Sequence, residues 1–202
     1  KVTKKSKSPL SFHPIALIFG LLSFVSYLVE GAVGDWSALY LFEDKGIVIE
    51  EAVMGVMLFN GTMCIGRLLG NRLGKHLTSK QVVVGGYLLG SIAMGLIVFL
   101  PGHASMYTYL LLGISLAMIV PNLFSAMGEQ NVIPMTQAVA TSTMLGYMGI
   151  LMGPALIGFI AHGTSLTVAF IVLTTLLVVS AGIGKYAYHL MSKDCGLSEE
   201  QI

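Results

Sequence analysis

The chain has 202 residues, of which 55% are apolar and only 10% are Asp, Glu, Lys or Arg, and its mean hydropathy is +0.83. Soluble domains carry about a quarter charged residues, so the composition excludes an ordinary soluble fold and points to an all-α membrane protein. A net charge of +1 excludes a nucleic-acid partner, and two cysteines, Cys64 in an apolar stretch and Cys195 in a polar tail, indicate neither a disulfide framework nor a metal cluster.

Residues 1–12, "KVTKKSKSPLSF", read as a basic cytoplasmic segment. Followed by an apolar run, they imitate a signal peptide, but the run continues to Phe42, holds charges and lacks a small-residue cleavage site. The first residue is Lys1 rather than Met, so the chain reads as a piece of something longer. A bilayer core takes about 20 apolar residues per helix. Six stretches between residues 13 and 190 qualify: Pro14–Phe42, Ala52–Gly70, Gln81–Leu100, Ala104–Met127, Met135–Ala161 and Leu166–Tyr188. Short turns separate them, and residues 191–202 read as a cytoplasmic tail.

Orientation follows from the basic residues. Lys1, Lys4, Lys5, Lys7, Arg67, Arg72, Lys75, Lys80, Lys185 and Lys193 fall at one set of ends, and only Lys45 at the other. Both termini are then expected in the cytoplasm, in a bacterial inner membrane. Trp36, Tyr40, Tyr107 and Tyr109 read as an outer aromatic belt, and Tyr186 and Tyr188 as an inner one.

Polar groups inside the spans carry the functional signal. Glu30 lies near the middle of the first span, where a charge costs at least about 2.5–3.5 kcal/mol. On a helical wheel Ser23, Ser26, Glu30, Gly34 and Ser37 share a stripe with Tyr27 beside it. Asp35 points about 140° away in an unbroken helix, and a break between Gly31 and Gly34 is expected to turn both carboxylates toward one cavity. The second span puts Asn60 at mid-depth with Arg67 on the same face; Asn122 in the fourth and Gln137 and Tyr147 in the fifth complete the cavity candidates. Spans one, two, four and five thus read as pathway-lining, and the third and sixth as lipid-facing. Pro121 is expected to loosen the fourth span. Interhelical hydrogen bonding is the plain alternative for Asn60, Asn122 and Gln137. His103 and His162 read as too isolated for a metal site.

Two stretches resemble a known family. "GRLLGNRLGKH", with Gly66, Arg67, Gly70, Asn71, Arg72, Gly74 and Lys75, resembles the cytoplasmic gating-loop signature of the major facilitator superfamily, although Asn71 stands where that loop often carries Asp. "GILMGPALIG", with Gly149, Gly153 and Pro154, resembles a helix-packing stretch of the eleventh helix of the same superfamily. Together with "EGAVGDWSALYL", they make the chain similar to helices seven to twelve of the fucose-permease-like branch. The resemblance implies two inverted three-helix repeats, alternating access and a second six-helix half, supplied by more chain or by a second copy. It also implies a secondary transporter rather than an enzyme, taking up a small sugar-like solute with protons through Glu30 and needing no cofactor. Efflux and a non-transporting scaffold are the alternatives. A rhomboid-type protease is excluded because its G-x-S-G would fall at Gly113-Ile114-Ser115-Leu116, which lacks the second glycine.

The charge split generates a test. Single cysteines placed in residues 43–46 should label from outside, and those in residues 77–80 from inside. Labelling of both from one side contradicts six spans.

Overall fold

A computed structural model describes Leu10, residues 13–73 and residues 77–195 of the chain, with the side chains of residues 71–73 and 195 excluded. Gly74 and Lys75, and the side chains of Asn71 and Arg72, therefore lie outside the described residues. Seven helices follow in order: α1 Pro14–Glu43, α2 Ile49–Leu73, α3 Ser79–Phe99, α4 Gly102–Ala117, α5 Ile119–Glu129, α6 Met135–Gly163 and α7 Leu166–Cys195. Six stretches are long and apolar enough to cross a membrane, α4 and α5 together forming one. Helix is the required solution here, because hydrocarbon offers backbone N–H and C=O groups no alternative partner.

The ends of the helices are chemically marked. Pro14 occupies the first turn of α1, and Nδ1 of His13 accepts from the backbone N–H of Ile15. Thr78 and Gln81 form a capping box on α3. Between α5 and α6 the buried Gln130 donates to the carbonyls of Met127 and Ile133 and accepts from the N–H groups of Val132 and Ile133. That side chain satisfies a turn which would otherwise leave backbone groups unpaired. The turn after α1 uses Gly46 at φ +69°, a left-handed conformation open to glycine.

The fourth span is broken rather than loosened. Pro121 has no N–H for the Ala117 carbonyl, and its ring crowds that same carbonyl. The helix stops at Ala117 and resumes at Ile119, and both N and Nδ2 of Asn122 bond to the carbonyl of Met118. Pro154, by contrast, sits inside an unbroken α6. The carbonyl it deprives of a partner, that of Ile150, faces Gly31 of α1, where a Cβ would come within 2.9 Å of it. The break expected between Gly31 and Gly34 is absent; α1 is continuous through both.

Glycines set the packing. Cβ atoms on Gly149 and Gly153 would strike the backbone carbonyls of Phe24 and Leu28, one turn apart on α1. Gly146 leaves room for the Tyr27 ring and Gly158 for Trp36, whose Nε1 donates to the Pro154 carbonyl at 2.9 Å. On the other side Gly66 and Gly70 of α2 lie against Ala117 and Met118, and Gly86 of α3 against the Ser115 carbonyl. The largest contacts pair the first span with the fifth, the second with the fourth, and the third with the sixth. Exchanging spans one to three for spans four to six maps each of these pairs onto another or onto itself. That is the packing of two three-helix repeats, and three crossings per repeat make the second run inverted.

Several residues of the aromatic-belt reading are packed inside the bundle rather than on its outer surface. Tyr40, Tyr109 and Tyr188 are fully buried, Tyr40 stacked on Phe170 with ring centroids 4.2 Å apart, while Tyr107 and Tyr186 are exposed. The helix of the sixth span also runs to Cys195, past the expected Tyr188.

The glycine contacts give a direct test. Gly153→Leu has backbone, not a movable side chain, in its path and should cost about 1–3 kcal/mol or more. Gly85→Ala, which meets nothing within 4 Å, should leave the thermal midpoint in detergent unchanged or raise it. Equal effects of the two substitutions would contradict the packing.

Candidate functional site

The polar stripe expected on α1 divides in three. Ser23, Ser26 and Ser37 are buried inside the bundle. Ser23 donates to the Phe19 carbonyl. Tyr87 of α3 donates to the Leu22 carbonyl at 2.7 Å, so the 2.8 Å contact between Ser26 and Tyr87 takes its proton from the serine. These hydroxyls link α1 to its own bundle and do not accompany Glu30. Tyr27 and Glu30 lie half-buried at the edge of the exposed strip, and Gly34 and Asp35 lie on it.

Glu30 finds a partner that the spacing within its own helix does not reveal. Nη2 of Arg67, on α2, donates to Oε2 at 3.2 Å and to Oε1 at 3.4 Å. Arg67 is not a loop residue: α2 continues to Leu73, so Gly66, Arg67 and Gly70 are helical, and the two glycines pack on the end of α4. The Glu30 side chain is 22% exposed and that of Arg67 43%. This ion pair joins two helices of one repeat within the spans. Its geometry is single-ended, with one guanidinium nitrogen serving both carboxylate oxygens.

Around the pair the structure assembles an aromatic and polar surface. Tyr27, one turn before Glu30, stacks on Tyr147 of α6 with centroids 6.3 Å apart and planes 6° apart. Tyr147 is 63% exposed, leaving its other ring face open. Asn60 is exposed on the α2 strip that carries Cys64 and Arg67, and its Nδ2 donates to the Val56 carbonyl. Asp35 is exposed about a turn and a half along the unbroken α1, about 140° around the helix from Glu30, with no partner among the described residues. Glu30, Arg67, Tyr27, Tyr147 and Asn60 thus lie together on α1, α2 and α6. Asn122 does not join them as a free group, since its amide is committed to the helix break. Gln137 is half-buried near the start of α6.

Helix burial marks the same surface. Among the spans α1 is the most buried, and α6 and α2 are the least. The central helix is therefore flanked by two helices with much of their surface uncovered.

Other polar groups gather at the Lys45 end. Lys45 donates to the carbonyls of Val98 and Leu100 at 2.6 and 2.9 Å, placing a cation on the C-terminus of α3. Burial holds its ammonium pKa below the usual lysine value, with Asp44 acting the other way. Nε2 of His103 lies 2.7 Å from Oε2 of Glu51 and joins the starts of α2 and α4. A cleft of about 480 Å³ lined by Trp36, Glu43, Asp44 and His162 opens between α1, α6 and α7. No group of three metal-ligating side chains occurs among the described residues. The Arg67 pairing was the main feature missed; the available signal was two opposite charges at interior positions of adjacent spans.

Comparison with known proteins places this architecture. No family model matches the chain. It is 41% identical over 168 residues to an uncharacterised MFS-type transporter of Yersinia pestis, covering 82% of this chain and 43% of that protein. It is 30% identical over 170 residues to the membrane protein MosC of Rhizobium meliloti, covering 83% of this chain and 42% of that protein. The chain thus spans about two fifths of the length of these relatives. Its fold matches the crystal structure of the Escherichia coli fucose:proton symporter FucP with a TM-score of 0.75, at 16% identity, over 87% of this chain and 43% of that one. The six spans, their repeat-like pairing and these similarities make the chain a multi-pass membrane protein that belongs to the major facilitator superfamily, of whose fold it represents a half.

Proposed function

We propose that the chain forms one wall of the translocation pathway of a secondary transporter, which takes up a small, polar, sugar-like solute together with protons. Six further helices, from the remainder of a longer chain or from a second copy, would face the open surface of α1, α2 and α6 and complete the cavity. The observation that carries the reading is the Glu30–Arg67 pair at 3.2 Å, set on that surface beside the open Tyr147 ring. Two charges placed within spans but partly exposed require water or a polar partner. The aromatic ring offers a sugar an apolar face, while Asn60 and Asp35 offer its hydroxyls acceptors.

Protonation gives the pair its transport role. An ionised Glu30 is held to Arg67; a protonated one loses that attraction and frees the guanidinium. Solute and proton then bind in a coupled way, and the coupling is reciprocal. The two glycine-rich contacts, α1 on α6 and α2 on α4, let the wall move as a rigid body around this site. Both termini would lie in the cytoplasm of a bacterial cell, with the Arg67 end of α2 inward. The same wall would serve efflux if the proton gradient were used in the opposite sense. No catalytic role is assigned.

Two experiments on the full-length transporter in proteoliposomes test this. Glu30→Gln mimics the protonated carboxyl and should retain solute exchange while losing pH-driven accumulation of a labelled monosaccharide panel that includes L-fucose. Retained accumulation with normal pH dependence would place the coupling elsewhere. The second uses thermal unfolding: Glu30→Gln and Arg67→Gln should each destabilise by leaving one charge alone, and the double substitution should recover more than about 1 kcal/mol of the summed loss, above the usual worth of an exposed pair. Strict additivity would show that the two groups do not interact.

A further inference from the structure

Arg67 holds more binding capacity than Glu30 uses. A guanidinium carries five N–H donors in a planar fork. Glu30 contacts Nη2 alone, and Nε and Nη1 have no partner among the described residues. The side chain is 43% exposed although it lies within a span. Both bidentate forks of a guanidinium, Nε–Nη2 and Nη1–Nη2, include the Nη2 that Glu30 occupies, so a planar oxyanion takes a fork of Arg67 only when Glu30 lets go.

The neighbouring groups define what else the oxyanion should carry. Tyr27 lies within electrostatic range of Glu30, Arg67 and Tyr147, so the stacked rings and the ion pair form one site. Beyond the rings, Asn60 has its amide nitrogen committed to Val56 and its oxygen turned to no described partner. The carboxylate of Asp35 stands about a turn and a half from Glu30 along α1. Hydroxyls suit both acceptors; a second negative charge does not suit Asp35.

We infer that the solute is a monocarboxylate with a hydroxylated ring or chain, a sugar acid rather than a neutral sugar, whose carboxylate takes the Arg67 fork that Glu30 vacates on protonation. This inference rests on the proposed reading of the open surface as a solute cavity. When Glu30 takes up a proton from the aqueous phase, Arg67 loses its counter-charge, and the solute carboxylate replaces it. The guanidinium stays paired throughout, so no isolated charge is left within the span. One anion and one proton move together and carry no net charge. The proton leaves Glu30 on the opposite side as the solute departs and the ion pair closes again.

The test uses the purified full-length transporter and a thermal-shift titration with D-glucuronate, D-galacturonate and D-gluconate, against L-fucose and D-glucose. At least one acid should raise the unfolding temperature, binding more tightly as the pH is lowered, and the neutral sugars should do so at least tenfold less well. Glu30→Gln should bind the acid with the pH dependence removed. Arg67→Lys, which keeps the charge but loses the fork, should weaken it about tenfold or more without lowering the ligand-free midpoint as Arg67→Gln does.

No shift with any of the three acids overturns the inference, and so does equal binding of acid and neutral sugars. If an acidic side chain from the remaining helices takes that fork instead, no acid will bind and Arg67→Lys will itself lower the ligand-free midpoint. The transport reading fails separately. Glu30-dependent accumulation of L-fucose without acid binding would sink the sugar-acid assignment alone, whereas acid binding that never leads to accumulation would sink the transport reading.

Discussion

The contact between α1 and α6 is what the rest of the bundle depends on. In a bilayer, lipid tails are as apolar as leucine, so helices gain little from hiding apolar surface and much from approaching closely. Gly149 and Gly153 permit that approach, since any Cβ there would meet the carbonyls of Phe24 and Leu28. Gly146 and Gly158 then receive Tyr27 and Trp36, and the bond from Trp36 to the Pro154 carbonyl locks the rotation of α1. With that rotation set, Glu30 points toward α2, where Arg67 meets it.

Charge imposes the second constraint. An exposed ion pair in water is worth about 0–1 kcal/mol, because each ion has solvent as an alternative. Within a span the alternative is a charge facing hydrocarbon, so the pair either closes or faces a wet cavity. Glu30 and Arg67 are joined at 3.2 Å and still 22% and 43% exposed. On the proposed reading, this combination of pairing and partial exposure lets a single protonation event change what Arg67 can bind. A fully buried pair would be inaccessible, and a fully solvated one would be indifferent.

Much of the architecture was legible in the residues. Apolar length located the spans, and the small residues of "GILMGPALIG" pointed to a close helix contact. Periodicity also put Asn60 and Arg67 on one face of α2. It failed where the partner lay on another helix. A wheel groups Ser26 with Glu30, yet Ser26 spends its hydroxyl on Tyr87 of α3, 61 residues away. It likewise cannot show that Arg67 reaches across to α1. Tyr40 reads as an interfacial aromatic by position, and periodicity does not show that Phe170 of α7 covers it. Pro121 correctly marked a weak point, while the break itself falls at Met118, because proline disturbs the turn before it. Pro154 disturbs α6 less, since the freed Ile150 carbonyl lies against Gly31.

The central claim is that the surface shared by α1, α2 and α6 meets water while the outer surface of α3 meets lipid. Cys64 lies on the α2 strip between Asn60 and Arg67 and is exposed, so it reports on that surface without any added probe. The decisive measurement is the rate at which a hydrophilic maleimide modifies Cys64 in the full-length transporter in intact membranes, with Cys195→Ser as background. A second cysteine introduced as Ile92→Cys, on an exposed position of α3, supplies the lipid-facing reference. The account predicts that Cys64 reacts at least about tenfold faster than the cysteine at position 92, since only a hydrated thiol ionises readily. Equal, slow modification of both would mean that the Glu30–Arg67 surface faces hydrocarbon or tightly packed protein, and the cavity assignment would fall.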